Sequence, residues 1–452
     1  MQKQTKYESQ IPEFIKQNAD KIDEILANTK ICDPAVGSGA FPIGMMHEIV
    51  KLRTLLSVYT KNDTTQYDLK RHTIENSLYG VDIDPGAVEV CKLRFWLSLI
   101  VDEDDFRNIK PLPNLDYKIL CGNSLQKIES NLFNFDLIDK LEELKHSYFN
   151  ETNLKNKEHY KQLINDLINR VTNGNSEFDL KIYFSEVFRG NGGFDIVIAN
   201  PPYIQLQKAV DNARKYADLY KNFEYEVFDR MGDIYCLFYE KGIDILKDGG
   251  HLTFITSNKW MRAGYGEKLR QFFTQYNPKV LIDLGPDVFE SATVDTCIVI
   301  IQKAPNERKT MAVTVTGNNK DHLNISQELE KNGVVLTKLT KDAWFIGNDA
   351  EQRLKEKIER IGKPLKDWDV RIYRGVLTGL NEAFIIDSIK REEILRNCKD
   401  EEERRRTEEI IKPILRGRDI KRYYYEWAGL WIINIPAGWT NKNRKNEDPE
   451  VF

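Results

Sequence analysis

The chain has 452 residues, 41% of them hydrophobic, a formal net charge of −4 and a pI near 6.0. That length exceeds what one core usually holds, so at least two domains are expected, and the charge excludes a polycation that binds nucleic acid by bulk attraction. The six cysteines (Cys32, Cys91, Cys121, Cys236, Cys297, Cys398) are scattered and none has CxxC spacing; they read as reduced core residues of a cytoplasmic protein, with no zinc site and no disulfide framework.

Met1 to Glu13 is polar and charged, unlike a secretion signal, and no apolar run is long enough for a membrane span. From about residue 22 to about residue 300, apolar strand-like runs alternate with amphipathic helical stretches, the signature of a parallel sheet covered on both faces. Strands are predicted at 30–33, 78–82, 117–121, 195–199, 251–256, 280–284 and 296–302, with helices at 39–56, 85–101, 232–246 and 266–275. The expectation is an α/β fold: a seven-stranded, mostly parallel, doubly wound sheet whose last strand closes it antiparallel. Residues 126–181 break the rhythm with Leu137, Ile138, Leu141 and Leu144, then Leu163, Leu167 and Ile168, and read as a helical insertion packed on the sheet edge. A connecting segment is expected at 306–360 and a second unit from 361, in which the charged run 400–406 reads as a solvated helix face.

Asn200-Pro201-Pro202-Tyr203 follows the apolar run 194–199. Two prolines fix φ and remove two amide donors, so the carbonyls there stay free. Asn200 adds a side-chain carbonyl, and Tyr203 an aromatic face for a planar ring. Such a rigid pair of acceptors suits gripping an –NH2 group. Asn-Pro alone is also a common strand-ending turn, so the remaining motifs decide between the two readings.

Upstream, Asp33-Pro34-Ala35-Val36-Gly37-Ser38-Gly39 places a carboxylate at a strand end before a Gly-x-Gly turn that opens a helix. The third glycine of the dinucleotide fingerprint is missing, which disfavours NAD. The second strand ends at Asp82-Ile83, where a carboxylate can accept from two ribose hydroxyls, and the third at Gly122-Asn123-Ser124, where an amide can meet an adenine edge. A carboxylate, a second carboxylate and an amide in that order fit S-adenosylmethionine across the carboxyl ends of the strands.

With these motifs in order, the chain resembles the gamma-class DNA N6-adenine methyltransferases, in particular Taq-like methylases and type IIG restriction-modification enzymes. The resemblance implies that Asp33, Pro34, Ala35, Gly37, Ser38 and Gly39 line the methionine end of S-adenosyl-L-methionine, Asp82 holds the ribose, Ile83 packs on the adenine ring and Asn123 meets its edge. It further implies that Asn200 and the Pro201 carbonyl, in the rigid frame completed by Pro202, hold the amine of a flipped-out adenine stacked between Tyr203 and Phe289. Ser124 stands where the closest relatives carry an aromatic residue. Segments 378–384 and 414–420 resemble the opening of a Taq-like α+β specificity domain, so 361–452 is expected to be part of a DNA-reading domain, truncated at Phe452. Lys412, Arg416, Arg418, Lys421 and Arg422 interleave there with Tyr423, Tyr424 and Tyr425, a mixture suited to phosphate and base-edge contacts and equally to a structural basic strand.

These residues imply direct methyl transfer to nitrogen with no metal, double-stranded DNA as partner, and a restriction or specificity subunit as a further one. Residues 1–305 would be the methyltransferase domain. The roughly thirty residues before the first strand are too few for a nuclease domain on ordinary domain sizes. Two other readings stay open: an N-methyltransferase of another planar amine, such as a protein glutamine or an RNA base, and a catalytically silent DNA-binding subunit.

Overall fold

The computed structural model describes residues 11–60, 64–101, 113–126, 135–171, 178–208, 210–211, 214–286, 288–289, 294–315, 324–370 and 381–435. The chain divides into two compact units, Met1–Lys357 and Ile358–Phe452.

Strands of the first unit are β1 (Ile31–Asp33), β2 (Leu78–Asp82), β3 (Ile119–Cys121), β4 (Phe194–Ala199), the short hairpin pair β5 (Val210–Asp211) and β6 (Arg214–Lys215), β7 (Leu246–Ser257), β8 (Asn277–Gly285), β9 (Thr296–Gln302), β10 (Thr310–Thr314) and β11 (Val334–Leu336). All but the hairpin form one nine-stranded sheet, ordered β11-β10-β8-β9-β7-β4-β1-β2-β3. β1 runs parallel to β2 and β4, β2 to β3, β4 to β7 and β8 to β10, while β9 is antiparallel to both β7 and β8. All seven expected strands are present and β9 closes antiparallel, but the sheet has nine strands where seven were expected. The two extra ones come from residues 306–360, expected as a connector: β10 joins β8, β11 joins β10, and Trp344 packs edge-on against Trp260 at 5.2 Å. Their apolar runs are only three to five residues long, too short to stand out in sequence.

Helices Ala40–Leu56, Pro85–Ile100, Tyr235–Ile245 and Glu267–Thr274 fall where helical periodicity places them. The core is aromatic: Tyr79 meets Phe184 and Phe194 edge-on at 5.0 and 5.4 Å, and Phe273 meets Tyr239 and Trp260 at 4.9 and 5.2 Å. Such pairs add directional preference to simple burial. The insertion forms helices Phe135–Asn150 and Leu154–Val171, whose Leu141, Tyr148, Ile164, Leu167 and Ile168 cluster with Tyr117 beside β3. Asp116 anchors it, accepting from Tyr148 and pairing with Lys92 at 2.7 Å. Among the described residues no helix is long and apolar enough to cross a membrane.

In the second unit, β12 (Ile385–Asp387), β13 (Ile411–Pro413) and β14 (Leu430–Ile433) form an antiparallel sheet in the order β12-β14-β13, with helices Ser388–Arg396 and Glu401–Ile410. Asp400 caps the latter helix by accepting from the Glu403 amide at 2.7 Å, and the charged run faces solvent as expected. Residues 371–380, part of the expected specificity-domain opening, and 436–452 lie outside the described residues.

The turn after β1 depends on Gly39, whose φ of +83° falls in the left-handed region. A Cβ there would lie 2.5 Å from Cys91 Sγ, in the helix that follows β2. Gly39→Ala is expected to cost about 1–3 kcal/mol of stability through backbone strain and overpacking, read by denaturant unfolding. A Cys91→Ala second change should recover the overpacking share and leave the backbone share.

Candidate functional site

Parallel pairing decides where the motifs meet. Ile31 is in register with both Leu78 and Ile196, and Asp82 with Cys121, so β1, β2, β3 and β4 all release their chains at one sheet edge. The loops that follow carry the Gly-x-Gly turn, Asp82-Ile83, Asn123 and Asn200 to Tyr203. A cavity of about 100 Å³ opens among them, with Pro34, Ala35, Asp82, Ile83, Asn123 and Pro202 in its lining. The sequence motifs from four separate strands therefore share one site.

Asp82 is central to its geometry. One carboxylate oxygen accepts the Gly37 amide at 2.8 Å and the other the Asp84 amide at 2.9 Å. A carboxylate has about four lone-pair positions, so two remain for a ligand. Ile83 beside it is 64% exposed, an apolar surface held open at a strand tip. Ser124 donates to the Pro34 carbonyl at 2.7 Å and so ties the third loop to the first. Asn123 is more committed than its sequence suggests, since its Oδ1 accepts the Leu125 amide at 3.0 Å and its Nδ2 donates to the Tyr220 hydroxyl at 3.4 Å.

Some expected residues stand back from the cavity. Asp33 is 1% exposed, with its Oδ1 accepting the Ala35 amide at 3.0 Å, and Gly37 and Gly39 shape the turn. Ser38 is held by Arg94, which donates to its carbonyl and hydroxyl oxygens at 3.0 and 3.2 Å. Asn200 is exposed beside buried Pro201, and its Oδ1 accepts the Tyr203 hydroxyl at 2.9 Å. Phe289 is half-buried beyond the end of β8 and is not part of the cavity wall.

The cavity is lined as well by Tyr216, Tyr220, Ile234 and Phe238, none of which the sequence singled out. Tyr216 and Tyr220 stand one helical turn apart with rings 5.8 Å apart. That i, i+4 aromatic spacing after the Asn-Pro-Pro-Tyr loop was the available signal. Tyr220 contacts Asn123 directly, so an aromatic side chain reaches the third loop although Ser124 itself supplies none.

A larger cavity of about 710 Å³ lies elsewhere, among Asp179, Lys181, Glu240, Asp244, Phe272 and Tyr276. It takes only Gln126 from the region of the strand-end loops; Lys181 and Asp244 pair at 3.2 Å, and the buried Glu240 and Lys241 bond to the Val227 amide and the Gln126 carbonyl. The smaller cavity is the candidate because it collects the motif residues.

In the second unit, Lys412, Arg418, Lys421 and Arg422 are exposed. Lys421 approaches Glu426 at 3.3 Å, and Arg422 lies over the Tyr423 ring at 5.4 Å. Arg416 is engaged within the fold: its Nε and Nη2 donate to the buried Asp419 at 3.0 and 2.9 Å.

Burial pushes the Asp33 carboxyl from 3.8 up to about 8, against the lowering effect of the Ala35 amide bond and with the nearby Asp82 charge adding to the rise. The folded state thus holds this proton more tightly than the unfolded chain. Its contribution to stability is complete below about pH 4 and is lost as pH rises through about 8. Asp33→Asn is expected to flatten the fall in unfolding free energy between those pH values, as followed by urea unfolding in a pH series.

Residues 76–289 match the profile of the Eco57I restriction-modification methylase family. A type II restriction enzyme and methyltransferase of Escherichia coli, RM.Eco57I, is 26% identical over 398 residues, covering 82% of this chain and 34% of that protein. The type II methyltransferase M.BstVI of Geobacillus stearothermophilus is 26% identical over 262 residues, covering 53% of this chain and 44% of that one. The chain thus spans a third to under half of the length of these curated relatives. Among solved structures, the type IIL restriction-modification enzyme MmeI in complex with DNA superposes with a TM-score of 0.52 at 12% identity, over 96% of this chain and 49% of that one, a likeness of fold. Over residues 76–289, the chain is thus similar to the Eco57I restriction-modification methylase family.

Proposed function

We propose that the protein is the DNA methyltransferase of a restriction-modification system, and that it moves a methyl group from S-adenosyl-L-methionine to the N6 amine of an adenine swung out of duplex DNA. The observation that carries this reading is the single cavity in which Pro202, of the Asn-Pro-Pro-Tyr loop, faces Asp82, Ile83 and Asn123. Pro202 follows directly on the acceptor residues Asn200 and Pro201, so the loop that carries them adjoins residues suited to a nucleoside.

The cavity is smaller than the roughly 300–1,000 Å³ of sites that enclose a whole drug-sized ligand, and its aromatic and aliphatic walls suit one flat ring. Its donor and acceptor set fits the cofactor in the same way. Asp82 keeps two lone pairs for ribose hydroxyls, Ile83 and Phe238 offer apolar faces, and Asn123 presents its amide. The turn Pro34 to Gly39, with Asp33 beneath it, would hold the methionine end. When bound, S-adenosyl-L-methionine supplies the methyl group on a sulfonium.

The rest of the work falls to the chain. A base within a duplex cannot offer its exocyclic amine to a pocket, so it must leave the stack. An aromatic amine is a weak nucleophile because its lone pair is delocalised. Asn200 Oδ1 and the Pro201 carbonyl would accept the two amine hydrogens and favour a pyramidal nitrogen with its lone pair turned outward. Tyr203 and Phe289 would cover the two faces of the base. Orientation and hydrogen bonding then supply the catalysis, without a covalent enzyme intermediate. Lys412, Arg418, Lys421 and Arg422 would serve the DNA backbone, and a restriction or specificity subunit is a further partner in this reading.

Incubation with methyl-labelled cofactor and mixed DNA, then digestion to nucleosides, tests the target: label is expected on N6-methyl-2′-deoxyadenosine, and label on another base or on none overturns the assignment. Asn200→Ala is expected to lower turnover by about 10²-fold or more while cofactor affinity stays within about twofold, on the scale of removing one preorganised hydrogen-bonding group. Asp82→Ala should instead weaken cofactor binding by about tenfold or more, read by isothermal titration, since it removes charge-assisted hydrogen bonds.

A further inference from the structure

The Tyr203 hydroxyl lies between two oxygens, Asn200 Oδ1 at 2.9 Å and the Ile255 carbonyl oxygen of β7 at 3.4 Å. A phenol has one hydrogen, and the shorter contact takes it. The ring is held as well. It packs edge-on against Tyr235 with centroids 6.0 Å apart, and the Tyr235 hydroxyl bonds that of Tyr265 at 2.8 Å. Burial drives the Tyr203 phenol well above its usual value, so it remains a donor at any working pH.

Resting on the methyl-transfer reading above, we infer that the Tyr203 hydroxyl is a positioning group that fixes which end of the Asn200 amide faces the methyl acceptor. A primary amide has an accepting end and a donating end of nearly the same shape. Turned over, Asn200 would present N–H to an amine that also needs to donate, and the grip would fail. The hydroxyl selects the oxygen end by bonding to it, and it occupies one of the two lone pairs while leaving the other for the acceptor's amine. Tyr203 therefore has two separable parts, a ring that covers the base and a hydroxyl that orients Asn200. Asn200 is exposed, so the hydrogen bond from Tyr203 matters the more for the orientation of its amide.

Tyr203→Phe in the full chain separates the two parts. We expect kcat to fall about tenfold, the scale of one lost hydrogen bond to a working group, with KM for DNA and cofactor affinity within about twofold of wild type. A 2-aminopurine placed at the target position should brighten on binding as it does with wild type, since the ring remains. Adding Tyr203→Phe to Asn200→Ala should cause no further loss. Unchanged kcat, or a loss seen mainly in KM and in the 2-aminopurine signal, would overturn the positioning role. If wild type labels an amine other than adenine N6, the target assignment fails alone, and the same kcat comparison on that amine still decides the role of the hydroxyl. No methyl transfer by wild type to any acceptor overturns both.

Discussion

The hydrogen bond from the Gly37 amide to the Asp82 carboxylate is the tie on which the site depends. It joins the turn after β1 to the tip of β2, so the glycine turn and the second-strand acid keep fixed positions relative to one another. Asp82 holds this place because β1 and β2 run parallel in register, and Gly37 reaches it because its φ of +49° lies in the left-handed region that glycine enters freely. The Ser124–Pro34 bond repeats the arrangement one strand further out. Two short cross-loop bonds thus turn three flexible connections into one wall of a cavity.

Much of the first unit was legible in sequence because a buried parallel sheet writes itself as short apolar runs between helical stretches. The runs ending at Asp33, Asp82 and Ala199 locate strands whose observed ends coincide with those residues. What stayed hidden depends on contacts between distant segments. β10 and β11 are too brief to register, and they belong to the sheet only because β8 offers β10 an edge. Tyr216, Tyr220, Ile234 and Phe238 were not singled out in sequence, and only the packing of distant segments brings them into the cavity lining. Arg416 stood in sequence as one of a basic cluster; its partner Asp419 is three residues along the chain, a local pairing that an i, i+3 count of charges would have caught.

The site also separates burial from exposure in a way that composition could not foretell. Two carboxylates sit close to one turn, yet Asp33 is sealed beneath it and keeps its proton to about pH 8, while Asp82 meets the cavity. Their strands differ by one position in the sheet, and that difference leaves one acid buried beneath the turn and the other in the cavity lining. Pro201 and Pro202 divide similarly, the first buried as a wedge under the loop and the second forming cavity wall.

The two margins of the nine-stranded sheet differ in construction. Beside β3 the helical insertion packs around Tyr117, and at the far margin β11 is an antiparallel strand of three residues, Val334 to Leu336. A long bare margin would present a ladder of unpaired amides and carbonyls to any passing extended chain. Here helices pack beside one margin and the other ends in a strand of three residues, so among the described residues neither margin presents a long ladder as a template for strand addition.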